Sequence, residues 1–290
     1  MYDFEIKRIN QEIRKRKAKR VLVQLPEGLK SEFLKIAEKI NAECVLSGDA
    51  CFGACDIQTY PEFDLTVHFG HSKMLDRDRA IYVECHSDLN ISKVVRNAAK
   101  VLEGKRIGLL TTIQHIDELD KAKKILENSG KKAVIGGQVL GCEVSNAKKI
   151  ADKVDEFLFI GSGMFHGIGI MHATGRRVLL ADPYTGIVQG VDPMKSFKEK
   201  HIRKAKAMDA REFGIVVCSK PGQKNIRSAE RVKKKLEKSN KRAHLVFINE
   251  ITPDKLDYLP FDAFVITACP RIVIDDWKNY KKPVLLPNEV

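Results

Sequence analysis

Three times along this chain a basic, helix-like segment runs into a short apolar strand that ends in polar or glycine-rich residues. That repetition constrains the fold more than any other feature. The strands are RVLVQLPEGL (20–29), RIGLLTTIQH (106–115) and FGIVVCSKPGQ (213–223). An amphipathic helix follows each: SEFLKIAEKI, then IDELDKAKKILENSG, then NIRSAERVKKKLEKSN. A second strand comes next (ECVLSG, KKAVIGGQVLG, RAHLVFIN), and shorter apolar runs such as DLTVHFG, EFLFIG and DAFVITA complete each pass. Short β-branched runs alternating with helices predict parallel sheets covered by helices. The expected fold is α/β: three similar small domains, each a mostly parallel sheet flanked by helices, over residues 1–95, 96–200 and 201–290. KSFKEKHIRKAKAMDAREF reads as a long helix leading into the third. Sites in open parallel sheets form at the carboxyl ends of strands, where most of the unusual residues here fall.

A chain of 290 residues exceeds one minimal core and suits two or three compact units. It has no run of eighteen apolar residues, and its basic N-terminus lacks an apolar signal region, so a cytoplasmic protein without a membrane span is expected. The net charge of +13 would suit a nucleic acid or an acidic protein partner. Lys and Arg are, however, interspersed with Glu along helical stretches such as ERVKKKLEKSNKR. These are solvated helix faces, so direct nucleic-acid binding is not expected.

Seven cysteines in a reducing compartment call for an explanation other than disulfides. Cys44, Cys85 and Cys218 lie in or at the end of apolar runs and read as small buried hydrophobes. Cys51, Cys55, Cys142 and Cys269 instead sit beside glycine, alanine or proline just past strand-like runs. The C-x-x-x-C of Cys51 and Cys55 is by itself a metal half-site, a redox pair or chance, because no second pair follows at zinc-finger spacing. Glycines 136, 137 and 141 before Cys142 are expected to leave room for a bulky group near the backbone. Each pass thus places a thiol past a strand. Three cysteinates would hold three irons of a cubane cluster and leave the fourth open to a substrate.

The strings CFGACDI, HFGHS, GGQVLGCEVSNA, FIGSGMFHGIGI, ADPYTG and ITACPRIVIDDW resemble the archaeal diphthamide synthase family. The likeness runs in order from about residue 21 to residue 289. It implies a homodimer of three-domain subunits arranged around a central 4Fe-4S cluster, with Cys55, Cys142 and Cys269 as the ligands. It also implies the reaction. A reduced cluster gives an electron to S-adenosylmethionine, and the 3-amino-3-carboxypropyl group passes to imidazole C2 of a histidine on translation elongation factor 2, releasing methylthioadenosine. An electron donor is therefore implied as a further partner. Two departures stand out: the chain stops at PVLLPNEV, where family members carry a further segment, and Cys51 offers a fourth thiol.

Further residues are candidates for holding S-adenosylmethionine. Gln24, Pro26, Glu27 and Gly28 end the first strand, either as a substrate-lining loop or as a plain turn. His68, Gly70, His71 and Ser72 form a polar pocket after another strand. Gly161 and Ser162 with His166 bring backbone N–H groups toward a carboxylate or ribose, or make a tight turn. Asp182 lies in ADPYTG. Arg271, two residues from Cys269, either pairs with the methionine carboxylate or bridges to Asp275 or Asp276. Two other functions compete with this reading. A quinolinate-synthase-like dehydratase would use three cysteines around a Lewis-acidic iron, but its signature strings are missing. A basic RNA- or ribosome-binding protein with a structural cluster would need aromatic platforms, and Phe and Tyr fall mostly in core-like runs.

Overall fold

The computed structural model describes residues 2–290, in two compact units that meet in sequence at Val191 and Asp192. The first unit opens with α1 (Ile6–Arg16), whose Ile9 and Ile13, one turn apart, are buried. A four-stranded parallel sheet follows, built from β1 (Arg20–Gln24), β2 (Glu43–Leu46), β3 (Leu65–Phe69) and β4 (Ala80–Val83) in the order β2-β1-β3-β4, with the short α2 (Phe33–Ala37) between β1 and β2. All five residues of β3 are buried, as expected for a strand covered on both faces.

The second sheet of this unit repeats the order. It contains β5 (Arg106–Thr111), β6 (Lys132–Gln138), β7 (Glu156–Ile160), β8 (Arg177–Ala181) and a short antiparallel β9 (Val188–Gly190), arranged β6-β5-β7-β8-β9. Its helices are α3 (Ser92–Val101), α4 (Leu119–Asn128), α5 (Ser145–Ile150) and α6 (Met164–Thr174).

The other unit begins with α7 (Pro193–Lys206), so the long basic helix expected near the boundary lies with the third sheet. Asp192 caps it by accepting the Met194 N–H at 2.9 Å. The unit continues with β10 (Glu212–Cys218), α8 (Ile226–Lys238), β11 (Arg242–Ile248), α9 (Pro253–Asp257), β12 (Ala263–Ile266), α10 (Arg271–Ile274) and β13 (Val284–Leu285). Its sheet, β11-β10-β12-β13, is again parallel and again follows the order second, first, third, fourth.

The repetition extends to details that composition does not carry. The helices α4 and α8 end in the same reversal. A residue with left-handed backbone, Gly130 or Asn240, lets the next N–H donate back into the helix: Lys131 to Leu126 O and Lys241 to Leu236 O, both at 3.1 Å. The same two lysines then cap backbone carbonyls, Lys131 at Leu102 and Gly104, and Lys241 at Ala210.

Candidate functional site

The carboxyl ends of the strands carry the unusual residues. After β2 the chain crosses residues 47–61 almost without regular structure, apart from the single 3-10 turn Ala54–Asp56 that holds Cys55. Cys55 is half-buried, while Cys51 is only 2% exposed. The buried Asp56 carboxylate accepts the Phe52 N–H at 2.9 Å, tying the loop to itself. Gln24, fully buried at the end of β1, ties the loop to the sheet: its Nε2 donates to Asp56 O at 2.9 Å, and its Oε1 accepts the Gln58 N–H at 3.3 Å.

Parallel register places His68 of β3 beside Gln24. His68 Nδ1 donates to Gln24 Oε1 at 2.9 Å, and His68 Nε2 lies 3.0 Å from His71 Nδ1. Burial, and then the neighbouring His71, pushes His68 down to about 3. Burial likewise pushes His71 down to about 4, against the opposing Phe69 carbonyl, so both rings are neutral at pH 7. Cys51, His68 and His71 each bring one donor atom within 4.8 Å of the other two. The sequence showed the histidine pair but not its thiol neighbour.

Gly70, with φ +82°, packs against Pro26, where an added Cβ would lie 2.7 Å from the proline ring. Pro26 and Gly70 therefore support each other, while Glu27 and Gly28 are exposed and Glu27 pairs with Lys30 at 2.7 Å. Within this unit the HFGHS loop is tied to the second sheet. Ser72 Oγ donates to Gln138 Oε1 at 3.1 Å, and Gln114 Nε2 donates to Gly70 O at 2.7 Å. Neither glutamine was singled out from the sequence, since a lone Gln after a strand carries no signal.

Beyond β6, residues 140–143 make a tight turn in which Leu140 and Glu143 exchange both backbone hydrogen bonds, at 2.8 and 3.0 Å. Cys142 stands exposed at its tip. The turn rests on α6. Gly141 N–H donates to His166 Nδ1 at 3.1 Å, and His166 stacks on Phe159 at 5.2 Å. Two of the three glycines here, Gly136 and Gly141, do not leave the open room expected of them. A Cβ on Gly141 would strike the Phe165 ring at 2.5 Å, and one on Gly136 would meet Leu110 at 2.6 Å, so protein side chains fill both spaces. Gly137, with φ +92°, sits where β6 bulges against β5.

Gly161 and Gly163 have positive φ, and Ser162 between them is exposed. They end β7 and start α6, which places His166 in the first turn of that helix. Asp182 closes a turn after β8, its Oδ1 accepting the Tyr184 and Thr185 N–H groups at 2.8 and 3.3 Å.

In the other unit, Thr267 ends the β12 run with its Oγ1 donating to Val216 O at 2.9 Å, and Cys269 and Pro270 lead into α10. Cys269 is half-buried. It follows the third strand of its sheet, whereas Cys55 and Cys142 each follow the second. Arg271 Nε donates to Asp275 Oδ2 at 2.8 Å, the bridge foreseen as one of its two roles.

The donor chemistry suits an iron–sulfur cluster. Cys55, Cys142 and Cys269 are thiols at strand ends, none fully covered, and Gly53 leaves the backbone bare beside Cys55 Sγ. Residues 25–290 match the profile of the diphthamide synthesis protein family. The chain belongs to that family. A curated relative from Pyrococcus horikoshii, 2-(3-amino-3-carboxypropyl)histidine synthase, is 38% identical over 97% of this chain and 87% of its own length. One of the same name from Methanocaldococcus jannaschii is 29% identical over 100% of this chain and 89% of its own. Two crystal structures of Dph2 from Pyrococcus horikoshii, one with a 4Fe-4S cluster, are similar to it. Each has a TM-score of 0.89 at 36% identity, covering 100% of this chain and 90% of the other. For this family member, no helix among the described residues is long and apolar enough to cross a membrane.

Proposed function

We propose that this chain is a transferase carrying out the first step of diphthamide biosynthesis. It moves the 3-amino-3-carboxypropyl group of S-adenosylmethionine to imidazole C2 of a histidine on translation elongation factor 2. The observation that carries this reading is the match along nearly the whole chain to an archaeal synthase of that name. Cys55, Cys142 and Cys269 would hold the 4Fe-4S cluster, one from each of three domains over 1–95, 96–200 and 201–290. When bound, that cluster supplies the electron that cleaves the bond from sulfur to the methionine γ-carbon.

The remaining work belongs to the protein. Arg271 offers a planar pair of donors for the methionine carboxylate. The exposed Ser162, Glu27 and Gly28 and the half-buried Ser72 offer polar contacts at strand ends, while Gln24, His68 and His166 support the loops behind them. After addition the imidazole adduct must lose a proton from C2 and one electron, replacing the electron spent on cleaving S-adenosylmethionine, and the proton requires no dedicated strong base. The surplus of 51 basic over 38 acidic residues favours an acidic protein partner. A homodimer, a separate electron donor and a cytoplasmic setting complete the proposal.

The test is anaerobic reconstitution followed by dithionite and S-adenosylmethionine. Methylthioadenosine release that disappears in Cys55→Ala, Cys142→Ala and Cys269→Ala, with iron content falling in each, supports the assignment. Release of deoxyadenosine instead, or full iron occupancy in Cys142→Ala, overturns it.

A further inference from the structure

We propose that Cys51, His68 and His71 form a second metal site, separate from the three cluster thiols, for one zinc-class divalent ion. Their donor atoms already lie within 4.8 Å of one another. A tetrahedral ion with bonds of about 2.3 Å to sulfur and about 2.0 Å to nitrogen needs donors roughly 3.3–3.6 Å apart. Side-chain adjustment of about an ångström closes the set.

The hydrogen bonds behind His68 fix the tautomer that ligation needs. Gln24 cannot be turned over, because its Nε2 faces the Asp56 carbonyl at 2.9 Å, and its Oε1 faces the Gln58 N–H at 3.3 Å. The first can only accept and the second can only donate. His68 Nδ1, at 2.9 Å from that same Oε1, therefore carries the proton, and the lone pair of His68 Nε2 points toward His71. An imidazole held by its other N–H against an amide or carbonyl oxygen is the outer-shell arrangement of ligating histidines.

The donor set selects the ion. One thiolate with two imidazoles suits zinc or its borderline neighbours and not magnesium or calcium, which take oxygen. On binding, the Cys51 thiol gives its proton to solvent. His71 remains neutral, its ring proton lying on whichever nitrogen does not ligate. Three protein ligands leave a fourth position for water. The ion would pin the loop at Cys51, four residues before Cys55, and so position the first cluster ligand without touching the cluster.

The alternative is a pair of core histidines satisfied by each other and by Gln24. Cobalt(II) separates the two, in the 290-residue chain carrying Cys55→Ala, Cys142→Ala and Cys269→Ala. With the cluster thiols gone, this test stands independent of the proposed reaction. One cobalt(II) per chain is expected, with tetrahedral visible bands and a sulfur-to-cobalt charge-transfer band, displaced by zinc(II). Adding Cys51→Ser should abolish the charge-transfer band, and Gln24→Met should weaken binding about 10–100-fold. Should Cys51→Ser fail to fold, loss of the visible bands in His71→Gln, at the less buried of the two rings, reads the same site. A folded parent that takes up no stoichiometric cobalt(II), or a charge-transfer band that survives Cys51→Ser, overturns the proposal.

Discussion

Asp155 Oδ2 accepts the backbone N–H of Arg106 at 2.8 Å, while Oδ1 takes the Arg106 guanidinium at 2.6 and 3.0 Å. The carboxylate ties the start of β7 to the start of β5, where the first amides of a strand need an acceptor. Asp64 does the same for Lys19 and Arg20, at 2.7 and 2.9 Å, and Asp262 for Arg211 and Glu212, both at 2.9 Å. One aspartate before the third strand of every sheet is the most specific trace of the repeated unit.

This arrangement predicts an acid-sensitive clamp. The Arg106 guanidinium and then its amide hold the Asp155 carboxyl down at about 2, below the roughly 3.9 of an unfolded chain. Asp64 and Asp262 are lowered as well, mainly by the backbone amides. Between those values the unfolded chain binds more protons, so stability rises with pH. The contribution is complete above about pH 3.9 and is lost as pH falls through about 2. The melting-point gap between the parent and Asp155→Asn should be constant from pH 5 to 7 and close below about pH 4. A gap unchanged at pH 2 would remove the ionised carboxylate from this account.

The second prediction concerns the support of Cys142. Gly169 of α6 lies against the backbone of Gly141, and an added Cβ would fall 2.8 Å from Gly141 Cα. Gly169→Ala should therefore push the turn outward, costing about 1–3 kcal/mol and lowering iron content several-fold in anaerobic protein. Gly190→Ala, where nothing lies within 4 Å of the added atom, is the control and should keep its iron. Equal iron in the two variants would mean that the turn adapts without α6.

How far the sequence discloses this molecule depends on how local each cause is. The strands and their threefold repetition are legible because apolar runs and turn residues lie side by side in the chain, whereas the order second, first, third, fourth within each sheet comes from the structure. The helix α6, MFHGIGIMHAT, is not announced by the sequence, because it is largely apolar and contains two glycines and so shows no helical period. The antiparallel β9 is too short to announce itself. In the site, His68 and His71 are visible as a pair, but the approach of Cys51 depends on the loop folding back across β1 and β3. Likewise Arg271–Asp275, four residues apart, could be foreseen, whereas Arg203–Glu289, 86 apart, could not.

That last pair makes the third prediction. Arg203 and Glu289 are both nearly fully buried and meet in a bidentate contact, at 2.5 and 3.2 Å. Glu289 Oε2 also accepts the Leu286 N–H at 3.0 Å. Removing one partner leaves a buried charge uncompensated, so Glu289→Ala should cost about 3–5 kcal/mol in denaturant unfolding. The double variant Arg203→Met/Glu289→Leu should recover most of that, because two apolar groups carry no desolvation penalty. A double variant as unstable as the single one would point to the Leu286 hydrogen bond instead.

The final prediction separates the two roles of Arg271, one observed and one proposed. Its guanidinium is half-exposed and bonded to Asp275 one helical turn on. An exposed pair of this kind contributes about 0–1 kcal/mol, so Arg271→Ala should move the melting point little. If the same fork turns to the methionine carboxylate when S-adenosylmethionine binds, its loss removes a charge-assisted bidentate contact of about 2–3 kcal/mol, or roughly 30–150-fold in affinity. Asp275→Ala then makes the test sharper. It frees the guanidinium from its resting partner, so affinity should hold or rise, whereas Arg271→Lys should restore only part of the binding because an ammonium cannot match two oxygens at once. Titrating anaerobic, cluster-loaded variants with S-adenosylmethionine beside a melting curve reads both quantities. Unchanged affinity in Arg271→Ala, whatever the small change in melting point, would assign this arginine to α10 alone.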